Sequence, residues 1–239
     1  MPAGPSTRPL LEALGVALLV TLAVTAASMF LPERHVATAV GFIFLGAAWL
    51  TVWRHDDVTV QHHGLAFGGL VLPGRLDHQA VLRATGVALA WAGLFAAVTF
   101  VPFWLGWRSW WHPHVGFHLV SPLARPLDTL NEVFGQIVII ALPEEAFYRG
   151  YLQTRIDDAF TARVRILGAT VGPGILIASV VFALGHVATI RDPSRLAVFF
   201  PALVFGWLRA RTGGVGASIA FHALCNIFSE MLGRAYGVY

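Results

Sequence analysis

Glu144 and Glu145 stand side by side in "ALPEEAFYRG", directly after the apolar run "VFGQIVIIAL", and Arg149 follows four residues after the second acid. Two other apolar stretches carry side chains that hold or move protons: "VVFALGHVAT", with Phe182 and His186, and "IAFHALCNIF", with His222 and Asn226. Ionisable groups inside such segments are costly, face the interior of a bundle and mark function. On a helix, Glu145 and Arg149 lie one above the other and can pair. Glu144 points about 100° away from Glu145 and is left for another task. His222 and Asn226 share a helical face, and so do Phe182 and His186. A carboxylate, two imidazoles and an amide brought together supply a general base and hydrogen-bond donors for a developing negative charge, which is the equipment of a hydrolase.

The elements that must position them are apolar helices. Hydrophobic residues make up 56% of the chain and charged residues 12%, against roughly 25% charged in a soluble domain. Seven stretches approach the roughly 20 residues needed to cross a bilayer core of about 30 Å: 9–31, 36–53, 84–107, 130–148, 174–190, 196–210 and 215–233. The expected fold is all-α, a polytopic transmembrane bundle of about seven spans. At about 1.5 Å per residue, Glu144 lies roughly 21 Å along the fourth span, His186 roughly 18 Å along the fifth, and His222 and Asn226 roughly 10 and 16 Å along the seventh. These depths overlap, so one water-accessible pocket is expected, offset toward the amino-terminal side. Ten of the sixteen arginines fall on that side and six on the other, which predicts a cytoplasmic amino terminus.

The remaining features have structural readings. A pI of about 9.6 arises from arginines scattered over short loops, with no basic stripe and no interleaved aromatics, so nucleic acid is not an expected partner. One cysteine, Cys225, excludes an internal disulfide and a Cys-rich metal cluster. The segment 54–83, with alternating "VTVQ" and turn signals at "HHG" and "LPG", predicts a small surface hairpin. Its His55, His62, His63 and His78 lack metal-site spacing. "WLGWRSWWHPHVGFHL", from Trp104, reads as an interfacial aromatic belt, and the polar stretch after Arg149 as a helix end with an interfacial turn. "RTGGVGAS" lacks the lysine of a phosphate loop and reads as a tight turn.

Taken together, the motifs resemble those of the CPBP family, which includes the type II CAAX-prenyl proteases and the bacterial abortive-infection-like proteins. "EEAFYR" at 144–149 is similar to its EExxxR motif, "FALGH" at 182–186 to FxxxH, and "HALCN" at 222–226 to HxxxN. The resemblance covers residues from about 128 onward. It divides the chain into an amino-terminal membrane region, 1–127, and a catalytic helical core, 128–239. It implies a glutamate-dependent intramembrane endopeptidase of the bacterial inner membrane, acting on a membrane-associated protein and using no cofactor or metal. In that scheme Glu144 and His186 activate water, His222 and Asn226 stabilise the oxyanion or orient the water, and Glu145 and Arg149 hold the site in place. Two alternatives stay open: a zinc metalloprotease using Glu144, His186 and His222, although HExxH is absent, and a non-catalytic transport or immunity protein.

Overall fold

A computed structural model describes residues 7–72, 74–111 and 126–238. Helices α1 (Thr7–Phe30) and α2 (Glu33–Ala48) form an antiparallel hairpin broken at Leu31–Pro32, and α2 runs on as a π-helical turn, Trp49–Trp53. A short α3 (Asp57–His62) and a 3-10 turn (Phe67–Gly69) lead to the 34-residue α4 (His78–Trp111). The helix carrying the two glutamates is composite. It begins as α5 (Pro126–Phe134), widens into a π-helix at Gly135–Ala141, tightens as α6 (Leu142–Glu145), widens again at Ala146–Gln153 and ends as α7 (Thr154–Ala159). A hairpin of β1 (Val164–Ile166) and β2 (Ala169–Val171) precedes α8 (Gly174–Ile190), a 3-10 turn (Pro193–Val198), α9 (Phe199–Thr212) and α10 (Gly216–Ala235). The all-α bundle is as expected.

Among the described residues, three helices are long and apolar enough to cross a bilayer: Arg8–Phe30, Glu33–Trp53 and His78–Trp110. α8 is apolar but has 17 residues. The composite helix and α10 carry the polar side chains of the site.

The hairpin expected between 54 and 83 is not there. "VTVQ" is helical, because the Asp56 carboxylate accepts from the backbone N–H of Thr59 at 2.7 Å and caps α3; an N-cap satisfies an otherwise orphaned donor and decides the local conformation. The hairpin forms instead at 164–171, where an interfacial turn was expected. Val164 pairs with Val171 and Ile166 with Ala169. Leu167 and Gly168, at φ 47° and 83°, supply the two positive dihedrals that a two-residue hairpin turn requires. Of the aromatic belt, residues 112–119 lie outside the described residues. Trp104 within it donates its indole N–H to the Tyr236 hydroxyl at 2.9 Å, tying α4 to the end of α10.

The composite helix is the axis of the fold, with α1 and α2 on one side, α8 and α9 on another, and α10 along its first half. All eight residues from Ala146 to Gln153 are buried. Pro143 has no N–H to give the Ile139 carbonyl one turn back, and the Leu142 N–H reaches five residues back to Ile137. The Ile139 carbonyl faces Gly41 of α2, where an added Cβ would lie 2.6 Å from the oxygen. Gly41 therefore sets how closely α2 approaches the glutamates. Gly41→Ala is expected to lower the melting temperature of the purified protein, since overpacking costs about 1–3 kcal/mol. Gly46→Ala on the same helix, where an added Cβ meets nothing within 4 Å, is expected to raise it or leave it unchanged by virtue of helix propensity alone.

Candidate active site

Beneath the surface of the bundle, Glu145 and Arg149 pair as their spacing predicts. Arg149 Nη1 donates to Glu145 Oε1 at 3.0 Å, with both side chains at most 1% exposed. Nη2 donates to the Ala202 carbonyl of α9 at 3.2 Å. The guanidinium sits 4.6 Å from the Phe182 ring centre, 5.1 Å from Phe205 and 5.8 Å from Tyr148. A cation is attracted to ring faces by roughly 2 kcal/mol or more once desolvated, so the rings complete a cage that the single carboxylate does not.

His222 on α10 joins the pair. Its Nδ1 lies 2.8 Å from the same Glu145 oxygen. An ionised carboxylate only accepts, so the hydrogen-bond network assigns the proton to Nδ1. Its Nε2 faces Glu144 Oε2 at 3.9 Å, and Phe205 stacks on the imidazole at 4.8 Å and 12°. His222 thus bridges both acids from behind.

Glu144 turns the other way, as its offset on the helix requires. It lines a cavity of about 320 Å³ together with Tyr148 of the same helix, Gly185, His186, Thr189 and Ile190 of α8, Thr21, Val24 and Ser28 of α1, and Glu33 to Phe44 of α2. Glu144 Oε2 is buried with no hydrogen-bond partner among the described residues. His186 Nδ1 donates to the Phe182 carbonyl at 3.0 Å, which leaves its Nε2 as an acceptor. The hydroxyls of Thr21, Ser28 and Thr189 donate to carbonyls one turn back in their own helices, at 2.8, 3.0 and 2.8 Å. A carboxylate and an imidazole lone pair are therefore proton acceptors lining this cavity, with the Glu33 carboxylate at its other end.

Asn226 does not line this cavity. It lies one turn beyond His222 and donates through Nδ2 to Gln136 Oε1 at 3.0 Å. Gln136 was not singled out in the sequence, although it is the one polar side chain in "VFGQIVIIAL". Tyr148 was also missed, and only its place inside the EExxxR spacing hinted at it. Its hydroxyl meets the Thr21 side chain. Among the described residues, no three of His, Cys, Asp or Glu are grouped so as to hold a metal ion. Cys225 packs on the α4 side of α10 with Leu224 and Phe221.

The expected position of the cavity mouth needs correction. The cavity runs from Glu144 and Tyr148 toward Glu33, Ser28 and Ile190, the end bearing the α1–α2 turn, opposite the amino terminus. Distance along the composite helix from Leu130 placed Glu144 deep, but α8 ends only four residues past His186, which brings the cavity to the other end.

The family model described as type II CAAX prenyl endopeptidase, Rce1-like, matches residues 126–228. Over this stretch, which is under half of the chain, the sequence is similar to that family. The matched span begins with α5, ends within α10 and takes in Glu144, Glu145, Arg149, His186, His222 and Asn226. No curated protein and no solved structure matches the chain. A protease-family domain among helices of this apolarity is that of an integral membrane protein.

Two outcomes follow from this geometry. Glu145→Gln or Arg149→Met alone is expected to cost about 3–5 kcal/mol by stranding a buried partner, read as thermal unfolding in detergent. The double variant should cost less than the sum of the two, and additive losses would show the pair to be uncoupled. In a Cys225→Ala background, Ala37→Cys on the cavity wall should react with a membrane-impermeant thiol reagent from the face opposite the amino terminus, and labelling from the amino-terminal face would refute the mouth described above.

Proposed function

We propose that the protein is a seven-span, glutamate-dependent intramembrane endopeptidase of the bacterial inner membrane, in which an amino-terminal region of residues 1–127 walls the substrate site and residues 128–239 carry the chemistry. The observation that carries this reading is that Glu144, with a buried oxygen that has no hydrogen-bond partner among the described residues, and His186, with Nε2 left as an acceptor, line the same cavity. Water held by both loses a proton to Glu144 as its oxygen attacks the scissile carbonyl. His222 and Asn226 are the donors for the new tetrahedral oxyanion or for the water, and Asn226, held by Gln136 outside the cavity, must release that partner to serve. Glu144 then returns the proton to the leaving amine. Arg149 touches no reacting atom in this scheme; it fixes Glu145, which fixes His222. The substrate is a membrane-associated protein with a CAAX-like terminus or a carboxy-terminal sorting or maturation signal, since an extended apolar segment fills a cavity lined by Val24, Val36, Val40, Phe44, Ile139 and Ile140.

Glu144→Gln keeps shape and removes basicity, so proteolysis is expected to fall by about 100- to 10,000-fold with the fold retained. His186→Ala should be comparably damaging, while Asn226→Ala, which removes one donor, should leave a residual rate about 100- to 1,000-fold down. The measurement is cleavage of membrane-protein termini, found by comparing the terminal peptides of cells carrying wild-type and Glu144→Gln protein. Undiminished cleavage by Glu144→Gln would sink the reading. Activity lost to a chelator and restored by zinc would replace it with the metalloprotease.

A further inference from the structure

Below the cavity mouth, on the α10 side of the composite helix, a second set of polar groups leads to the same glutamates. On α10, His222, Asn226, Glu230 and Arg234 recur every four residues and so share one face. Each meets a polar partner across the helix pair. Arg234 Nη1 donates to Glu132 Oε2 at 2.8 Å and also pairs with Glu230. Asn226 meets Gln136, and His222 meets Glu145 and Glu144. Exposure falls steadily inward, from 44% at Arg234, 30% at Glu230 and 20% at Glu132 to 5% at His222 and none at Glu145. The rungs span about 18 Å of helix. On the same helix Phe221, Leu224, Cys225, Phe228 and Leu232 pack instead in the apolar clusters that α4 joins.

Interhelical hydrogen bonds hold membrane helices together at about 1 kcal/mol each, which accounts for one rung. It does not account for a continuous column of carboxylates, amides and a guanidinium graded from the rim to the reacting glutamates. The substrate cavity is apolar and is walled by α1, α2 and α8, so a bound apolar segment would exclude the water that hydrolysis consumes. We propose that the Glu132–Gln136 face of the composite helix and the His222–Arg234 face of α10, whose His222 Nε2 edge faces Glu144, form the route by which water reaches Glu144, separate from the cavity that takes the substrate. The proposal rests on the hydrolytic reading for its purpose, but its geometry can be tested without any activity.

The test uses the full-length protein in lipid nanodiscs with Cys225 replaced by alanine. Single cysteines are placed at Gln136, on the polar column, and at Ile137, at the same depth but 37% exposed on the bundle exterior. A cationic, water-soluble methanethiosulfonate is the probe. Gln136→Cys should react at least about tenfold faster than Ile137→Cys, because hydrocarbon rejects the charged reagent. Equal rates would overturn the route. Should Gln136→Cys fold poorly, Glu230→Cys against Met231→Cys makes the same comparison one rung nearer the rim. On the activity side, Gln136→Leu should lower kcat about tenfold with KM unchanged, and Gln136→Glu, which still accepts from Asn226, should restore it; the loss corresponds to one displaced polar contact. A raised KM, or no rescue by Gln136→Glu, would assign Gln136 to packing and not to water supply. If the protease reading itself is wrong, Glu144→Gln changes no cleavage while the labelling contrast persists.

Discussion

Everything at the site hangs on one oxygen. Glu145 Oε1 accepts from Arg149 Nη1 and from His222 Nδ1, and so fastens the composite helix to α10, while the other guanidinium nitrogen fastens it to α9 through the Ala202 carbonyl. A guanidinium without a counter-charge is untenable in apolar surroundings. A carboxylate shared between two donors is also fixed in rotation. Glu144, its neighbour, inherits that fixed backbone and is left unpartnered on the opposite side. One acid is thus committed to architecture while the next faces the cavity, and the rings of Phe182, Phe205 and Tyr148 surround the guanidinium that the first acid holds.

The two π-helical stretches on either side of α6 serve the same end. Wide turns of this kind are rare and concentrate at functional positions. Here they hold the short α6 turn, with Pro143 at its start, where Gly41 lets α2 come close to the Ile139 carbonyl. The wall of the cavity and the orientation of Glu144 are set by the same contact. This is why α1 and α2, which lie outside the family match, are part of the site's geometry: Thr21, Ser28 and the α2 face from Glu33 to Phe44 close the cavity that Glu144 opens.

Much of this was legible in the residues. The four-residue spacing of Glu145 and Arg149 foretold their ion pair, and the 100° offset foretold that Glu144 would point elsewhere. The spacing of His222 and Asn226 foretold a shared face but not that the two would have different partners, because partner choice depends on where Gln136 comes to rest across the helix pair. The side of the bundle on which the cavity opens was misread because depth was counted from apolar run lengths, and these do not reveal that α8 stops four residues after His186. Alternation misled at "VTVQ", where a capping aspartate outweighed strand propensity. The true hairpin lay in "VRILGATV", whose turn depends on two positive dihedrals that only its glycine advertises.

The far end of the bundle gives the cavity's position a further meaning. There Leu65 packs on Gly150, Gly64 lies against Arg209, and the Gly64 carbonyl accepts from the N–H of Val215 at 3.2 Å. His62 pairs with Asp158 at 2.9 Å over the top, and the eight residues between this plug and the glutamates are all buried. Both the apolar cavity and the polar column begin at the opposite rim, and both stop at Glu144 and Glu145. A hydrolase that draws water into the thickness of a bilayer risks becoming a conduit for ions and dissipating the membrane potential. In this bundle the cavity and the column both end at the Arg149 clamp, a fixed positive charge backed by close packing, so a water route of the kind proposed would stop short of the far face and leave the electrical barrier of the membrane intact.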